Sequence, residues 1–305
     1  MRVRYLGEAV REQRKLLGVR QELVCEGLCT TMTLSRFESG RQTPSRDCVA
    51  AILQRLGLPD DRHYAQLTRR ETQLVRLRKE TIAYCSQFEQ ARGDERQKVR
   101  MDALEKLRSL ERCVKADDHI NQQFILGAKV TLGAYPPQEQ LEVLMEAIRL
   151  TSPRFDPNDL GSCLYSTGEV VIINQLALHH SFCGQSEKAI DIYRQLLKLL
   201  LKRTPDHGCL YLVAYDYAWC LASANRLKEA LEISQIGRQA CIQRGYYRAL
   251  PRFLHIEAEC RYLMDEVMAS RELYQSAYHI YKATMDITNL EILKADVAER
   301  FNTAF

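Results

Sequence analysis

The sequence predicts an all-α protein, and three observations carry that prediction. Apolar residues recur at three-and-four spacing along nearly the whole of its 305 residues. Only 14 Gly and 8 Pro interrupt them, and no segment alternates apolar with polar as a half-buried strand does. With 46% hydrophobic and 27% charged residues and a mean hydropathy of −0.32, the chain is long enough for two domains and apolar enough to give each a core. These values exclude a disordered chain.

No run of 18 apolar residues is present, which excludes a membrane-spanning class. Met1-Arg2-Val3-Arg4-Tyr5 leads directly into a charged helical pattern without an apolar signal core, so the expectation is a cytoplasmic protein with no membrane partner. The formal charge of +4 is unevenly spread. Residues 1–70 hold 13 Lys and Arg against 8 Asp and Glu, a net of +5, and the remaining residues come to −1. A small basic module on a near-neutral body suits a nucleic-acid partner better than an acidic small substrate.

The elements follow in order. Leu6, Val10 and Leu17 stripe a first helix that Gly18 stops. Leu23, Val24 and Leu28 stripe a second, and Leu34 and Phe37 mark a third. Val49, Ile52, Leu53 and Leu56 stripe a fourth, entered at Pro44-Ser45, where Ser45 can cap the free amides and Asp47 suits the positive helix end. Gly57 and Pro59 close it. A longer polar-rich helix is expected over residues 69–90, and Gly93-Asp94 separates it from another over about 95–114.

Beyond these, a pattern repeats. Asn174-Gln175-Leu176-Ala177 leads to Gly184 and then Ala189, Asp216-Tyr217-Ala218 leads to Asn225 and then Ala230, and Glu257-Ala258 leads to Ser270 and Ala277. Each unit is a helix with a small residue at its eighth place, a tight turn, and a second helix with a small residue at the twentieth, which lets two helices approach closely. The units resemble tetratricopeptide repeats that begin near 170, 211 and 251, with a weaker one near 121, at a period of about 40 residues. The excess over the usual period is expected in connections such as Lys202–Gly208.

Residues 3–58, through Gly18-Val19-Arg20-Gln21-Glu22-Leu23, Leu28-Cys29-Thr30-Thr31-Met32-Thr33-Leu34-Ser35-Arg36-Phe37-Glu38-Ser39-Gly40-Arg41 and Pro44-Ser45, resemble the helix-turn-helix of the phage-repressor-like (XRE) family. The resemblance implies that the third helix enters the major groove of double-stranded DNA with Thr31, Met32, Thr33 and Arg36 toward the base edges. Arg36 can grip a guanine edge or a phosphate. Gln21 matches the family's phosphate-contacting glutamine. Arg20, Arg41, Gln42 and Ser45 are further phosphate candidates, which set register and salt dependence rather than sequence choice. Glu38 matches an acidic residue that ties the third helix internally. Departures stand out: Cys29 replaces the usual Gly, the turn between the second and third helices is one residue shorter than the commonest, and Arg20 replaces the usual Thr or Ser cap.

In tetratricopeptide-like repeats the second, fifth, ninth and twelfth places of each first helix face a groove. Here they hold Val171, Asn174, Leu178 and Ser181, then Leu212, Tyr215, Trp219 and Ala222, then Arg252, His255, Glu259 and Tyr262, with Lys129 at the matching place of the weak repeat. Asn174 can donate to and accept from a peptide backbone at once. Trp219 is either a pocket wall or helix packing, and His255 and Glu259, four residues apart, either hold a ligand or bond each other.

Taken together, the chain resembles the peptide-pheromone-sensing regulators of Gram-positive bacteria, the group of Rgg, NprR, PlcR and PrgX. The resemblance implies an N-terminal helix-turn-helix domain followed by a right-handed superhelix of tetratricopeptide-like repeats. It also implies a homodimer on a two-fold operator and a short signalling peptide in the groove. The expected peptide contacts are Lys129, Asn174, Leu178, Ser181, Tyr215, Asp216, Trp219, Arg252, His255 and Glu259, with Asp216 standing where a second groove asparagine is usual. The expected divisions are 1–68 for the DNA-binding domain, 69–92 for a linker helix, 93–285 for the repeats and 286–305 for a capping helix. The alternative is a DNA-binding regulator whose repeats serve dimerisation or a protein partner.

No enzyme chemistry is expected. There is no glycine-rich phosphate loop and no nucleophile motif. His179 and His180 are adjacent on a helix and point apart, and His63, His119, His207 and His279 are scattered. Eleven cysteines, at 25, 29, 48, 85, 113, 163, 183, 209, 220, 241 and 260, contain no C-x-x-C and are odd in number, so they read as small helix-packing hydrophobes. Neither a metal nor a cofactor is implied.

Overall fold

Fifteen α-helices and no strand are found among the described residues of the computed structural model, which are 6–58, 69–203 and 208–302. Pro59, His63, His207 and the connection at 204–207 lie outside them. The all-α class and the paired-helix repeats are as the periodicity predicts. The helices form two compact units, residues 1–176 and 177–305.

The first unit begins with α1 (Leu6–Leu16), α2 (Gln21–Cys25), α3 (Thr31–Glu38) and α4 (Arg46–Arg55). Gly18, at φ +65°, turns the chain out of α1. The helix ends one residue before Leu17, which is therefore exposed and not part of the apolar stripe. Thr30 caps α3 by accepting from the Thr33 amide, and Ser45 caps α4 by accepting from the Cys48 amide, as its position after Pro44 predicts. Arg20 precedes α2 without a side-chain cap. Val10, Val24, Leu34, Phe37, Ile52 and Leu53 are buried together as the core of this four-helix head, and burying each stabilises by about 1.5–3 kcal/mol. A Cβ on Gly7 would come within 1.8 Å of the Phe37 carbonyl oxygen, so only glycine lets α1 lie this close to α3.

Within the same unit, α5 (Arg69–Gln90), α6 (Gly93–Glu111) and α7 (His119–Thr131) pack around Leu74, Leu77, Leu107, Leu110 and Ile125. α8 (Pro137–Thr151) pairs with α7, and α9 (Thr167–Phe182), which follows after a short 3₁₀ turn at Leu160–Ser162, begins in this unit and ends in the second. Ile120 and Leu164 pack against the head's core, so the head and the first array helices share apolar contacts.

The second unit contains α10 (Ser186–Arg203), α11 (Leu210–Ser223), α12 (Leu227–Arg244), α13 (Leu250–Leu263), α14 (Val267–Ala283) and α15 (Ile287–Phe301), each packed on the next. The small residues of the repeat pattern, Ala177, Ala189, Ala218, Ala230, Ala258 and Ser270, are all completely buried, which is why those places exclude larger side chains. The repeat turns place Gly184, Asn225 and Asp265 in the left-handed region, at φ of +75°, +59° and +65°. Recurrence of this strained turn at one place in each unit is the backbone counterpart of the sequence repeat.

Candidate functional site

On α3, Leu34, Phe37 and Glu38 are buried against the head, which leaves Thr31, Met32, Ser35 and Arg36 exposed on the other face and Thr33 half-buried beside its cap. Met32 is 61% exposed, unusual for a methionine without a partner surface. Arg20 stands exposed just before α2, and Arg41, Gln42 and Ser45 are exposed in the α3–α4 connection. Among the described residues, Arg20, Arg36 and Arg41 pair with no carboxylate, so three unneutralised guanidinium groups belong to one small head. That arrangement suits a polyanion.

The face is held by a buried carboxylate. Glu38 accepts from Arg14 Nε at 2.5 Å and Nη2 at 2.8 Å, and from Gln21 Nε2 at 2.7 Å. Its internal role matches the expectation for that position, and Arg14 is the partner that sequence reasoning missed. Gln21, a phosphate candidate, uses its amide nitrogen on Glu38 and thereby fixes the start of α2 relative to α3.

A second buried ion pair joins the head to the array helices of its unit. Arg55, at the end of α4, donates to Glu169 of α9 at 2.6 Å, with the two side chains 1% and 0% exposed. Arg55 also donates to the carbonyls of Val24, Glu26 and Thr151, while Glu169 accepts from the hydroxyls of Thr151 and Ser152 and the amide of Ser166. Burial pushes the Glu169 carboxyl up, but the Arg55 charge and these donors outweigh it and hold the group below its usual range. Gly27, at φ +69°, abuts the backbone of Thr151, and Glu26 pairs with Arg154 at 2.5 Å. A further bridge runs through buried Asn121, whose amide donates to Asp47 at 3.0 Å and to Asp118 at 2.8 Å while its oxygen accepts from Arg78.

The groove candidates divide between the two units. In the first, Lys129 pairs with Glu111 at 2.5 Å, and Asn174 is only 4% exposed, so it sits within the packing of α9 rather than on an open face. Leu178 and Ser181, four and seven residues further along α9, belong to the second unit and are half-buried.

In the second unit the candidates Tyr215, Asp216 and Trp219 lie on α11, and Arg252, His255 and Glu259 on α13. Trp219, 36% exposed, packs against Phe182, 70% exposed, with ring centroids 5.6 Å apart. Tyr215 meets Phe253 edge-on, and the Arg252 guanidinium lies over the Tyr215 ring at 5.7 Å. Asp216 is half-buried beside them. His255 and Glu259 do not bond each other. His255 Nε2 lies 2.8 Å from Asp296, and Glu259 accepts from Arg300 at 3.1 Å and from the Tyr274 hydroxyl, so both are tied to neighbouring helices, mainly α15. The pairing of α13 with α15 needed side chains some forty residues apart and left no local signal.

Residues 5–71 match the helix-turn-helix domain family. The head is a helix-turn-helix domain. The fold as a whole is similar to PlcR from Bacillus thuringiensis, solved in complex with the peptide PapR7 and DNA, at 18% identity and a TM-score of 0.60 over 94% of this chain and 98% of that one. It is also similar to the competence regulator ComR from Streptococcus vestibularis, solved with its cognate signalling peptide XIP, at 15% identity and a TM-score of 0.52 over 97% and 98%. No curated protein matches at the level of sequence. Among the described residues, no helix is long and apolar enough to cross a membrane.

Proposed function

We propose that the protein is a cytoplasmic transcription regulator whose helix-turn-helix head reads a two-fold DNA operator as part of a homodimer, and whose repeats bind a short signalling peptide. In this reading residues 1–68 bind DNA, 69–92 link, 93–285 form the peptide-responsive array and 286–305 cap it. The observation that carries the reading is the exposed face of α3, with Arg36 unpaired and the buried Glu38 network behind it. It is supported by the shared fold of PlcR and ComR, two proteins solved with peptides.

Arg36 is assigned to a base edge, with Thr31, Met32 and Thr33 beside it, and Arg20, Gln21, Arg41, Gln42 and Ser45 are assigned to phosphates. The peptide is assigned to Lys129, Asn174, Leu178, Ser181, Tyr215, Asp216, Trp219, Arg252, His255 and Glu259. Within this set Trp219 with Phe182 offers an apolar anchor, and Arg252 offers a cation that is not in an ion pair among the described residues.

A second reading has the repeats serve dimerisation or a protein partner. The observation that favours it is the engagement of His255 and Glu259 by Asp296 and Arg300 of the protein's own α15. Selection of duplexes from a random pool, with and without peptide fractions from cultured cells, separates the two when combined with solution mass and Trp219 fluorescence. Peptide-dependent DNA selection by a dimer, with a shift in Trp219 emission, is expected. Selection by a dimer that no peptide fraction alters favours the second reading, and a monomer in all conditions contradicts the dimeric model.

A further inference from the structure

Three thiols meet in the core of the head. Cys25 closes α2, Cys29 lies in the α2–α3 turn, and Cys48 lies in the first turn of α4; all are free and belong to one apolar cluster. The Cys25 thiol donates to the carbonyl oxygen of Glu22 at 3.7 Å. The Cys48 sulfur also lies 3.7 Å from the carbonyl oxygen of Leu28, the residue before Cys29. A cleft of about 670 Å³ opens onto two of the three, with Cys29 and Cys48 in its wall beside Thr30, Asp47, Leu74 and Ile120. Packing alone explains a buried cysteine, but not two free thiols in the wall of one cleft.

The electrostatics of the pair are asymmetric. Neighbouring Cys29 pulls the Cys48 thiol below its ordinary value, and the Arg55 guanidinium adds to this, against burial. Neighbouring Cys25 lowers the Cys29 thiol, but Cys48 and burial push it up to about 12. Cys48 is therefore the more acidic of the two thiols, which suits it to the nucleophilic role and Cys29 to the resolving one.

We propose that Cys48 and Cys29 are an oxidant-responsive dithiol, which a hydroperoxide entering the cleft converts to a disulfide that ties the α2–α3 turn to α4. The Cys48 thiolate attacks the peroxide oxygen, the O–O bond breaks, and hydroxide leaves and takes up a proton as water. The resulting sulfenic acid is attacked by the Cys29 sulfur; an S–S bond forms, the S–O bond breaks, and the second water carries away the Cys29 proton. Two thiols and one hydrogen peroxide give one disulfide and two waters. Thr30, which caps α3, follows Cys29 directly, so the new bond displaces the start of the DNA-facing helix. The inference is independent of any peptide ligand.

The test uses the full chain treated with hydrogen peroxide, with free thiols alkylated before proteolysis and mass mapping. Binding to a duplex recovered by selection with the reduced protein is followed in parallel. The expected result is a linked Cys29–Cys48 peptide with the other cysteines alkylated, and an affinity that falls about tenfold or more and returns with dithiothreitol. Cys29→Ser and Cys48→Ser abolish both effects, and Cys25→Ser retains them. Circular dichroism checks the folding of each variant, and the wild-type map carries the test if Cys48→Ser unfolds. Cys29 and Cys48 both alkylated after peroxide, or a linked protein with unchanged affinity, overturns the proposal. Failure of the reduced protein to bind any duplex counts instead against the proposed function, because the mapped bond is read without DNA.

Discussion

Arg55 and Glu169 stand 114 residues apart in the chain, yet their side chains meet at 2.6 Å inside the first unit, with no solvent at either charge. One belongs to the last turn of the helix-turn-helix head and the other to the first turn of α9. The pair is also saturated with neutral donors and acceptors, so each charge keeps its partners as long as head and array helices stay together. The ion pair therefore makes the head's placement conditional on α8 and α9, rather than leaving it on a free linker.

Removal of one partner leaves the other charged and buried. Arg55→Ala is expected to destabilise the protein by about 3–5 kcal/mol, whereas Arg55→Met combined with Glu169→Leu recovers most of that loss. Urea unfolding followed by circular dichroism measures both. Equal destabilisation by the single and double variants contradicts the assignment.

The same pair gives a pH dependence. Because Glu169 is held below its ordinary value in the folded state, its stabilisation is fully present above the usual carboxylate pKa of about 4.3 and is lost as pH falls through the lower folded value. Melting temperature measured across this acid range is expected to fall more steeply for the wild type than for the Arg55→Met, Glu169→Leu double variant. Parallel curves argue against a folded carboxylate held low by Arg55.

Gly27 tests the backbone side of the same junction. Its φ of +69° already disfavours other residues, and a Cβ there would come within 2.0 Å of the Thr151 carbonyl oxygen. Gly133 has a similar φ of +64° but open space around it. Gly133→Ala is expected to cost about 1–2 kcal/mol from the left-handed backbone alone, and Gly27→Ala about 1–3 kcal/mol more from the clash. Chemical denaturation of the two variants compares them, and equal costs contradict the close approach.

Much of this was legible in local sequence. Gly18, Gly184 and Asn225 mark turns because few other residues accept a positive φ, Ser45 announces the start of α4, and the buried small residues fix the repeat register. The exposed residues of α3 were legible too, because Leu34 and Phe37 define the opposite face. The tertiary pairings were not. Arg55 reads as an ordinary basic residue in a last helical turn, and nothing near it announces Glu169. Asn174 carries the polar chemistry of a groove residue, but its burial depends on how α9 packs. His255 and Glu259 have the spacing of a mutual pair, and only the position of α15 shows that Asp296 and Arg300 take them instead.

The most direct test of the account is the response of DNA binding to Arg36. Affinity for a duplex recovered by random-pool selection, and for single-base variants of it, is measured by fluorescence anisotropy over a range of salt concentrations for the wild type, Arg36→Ala and Arg41→Ala. The account predicts that Arg36→Ala loses about 1–3 kcal/mol and relaxes discrimination at one base pair of each half-site, while Arg41→Ala weakens all duplexes alike and reduces the salt slope. Sequence preference and affinity unchanged by Arg36→Ala would contradict the assignment of α3 as the reading helix.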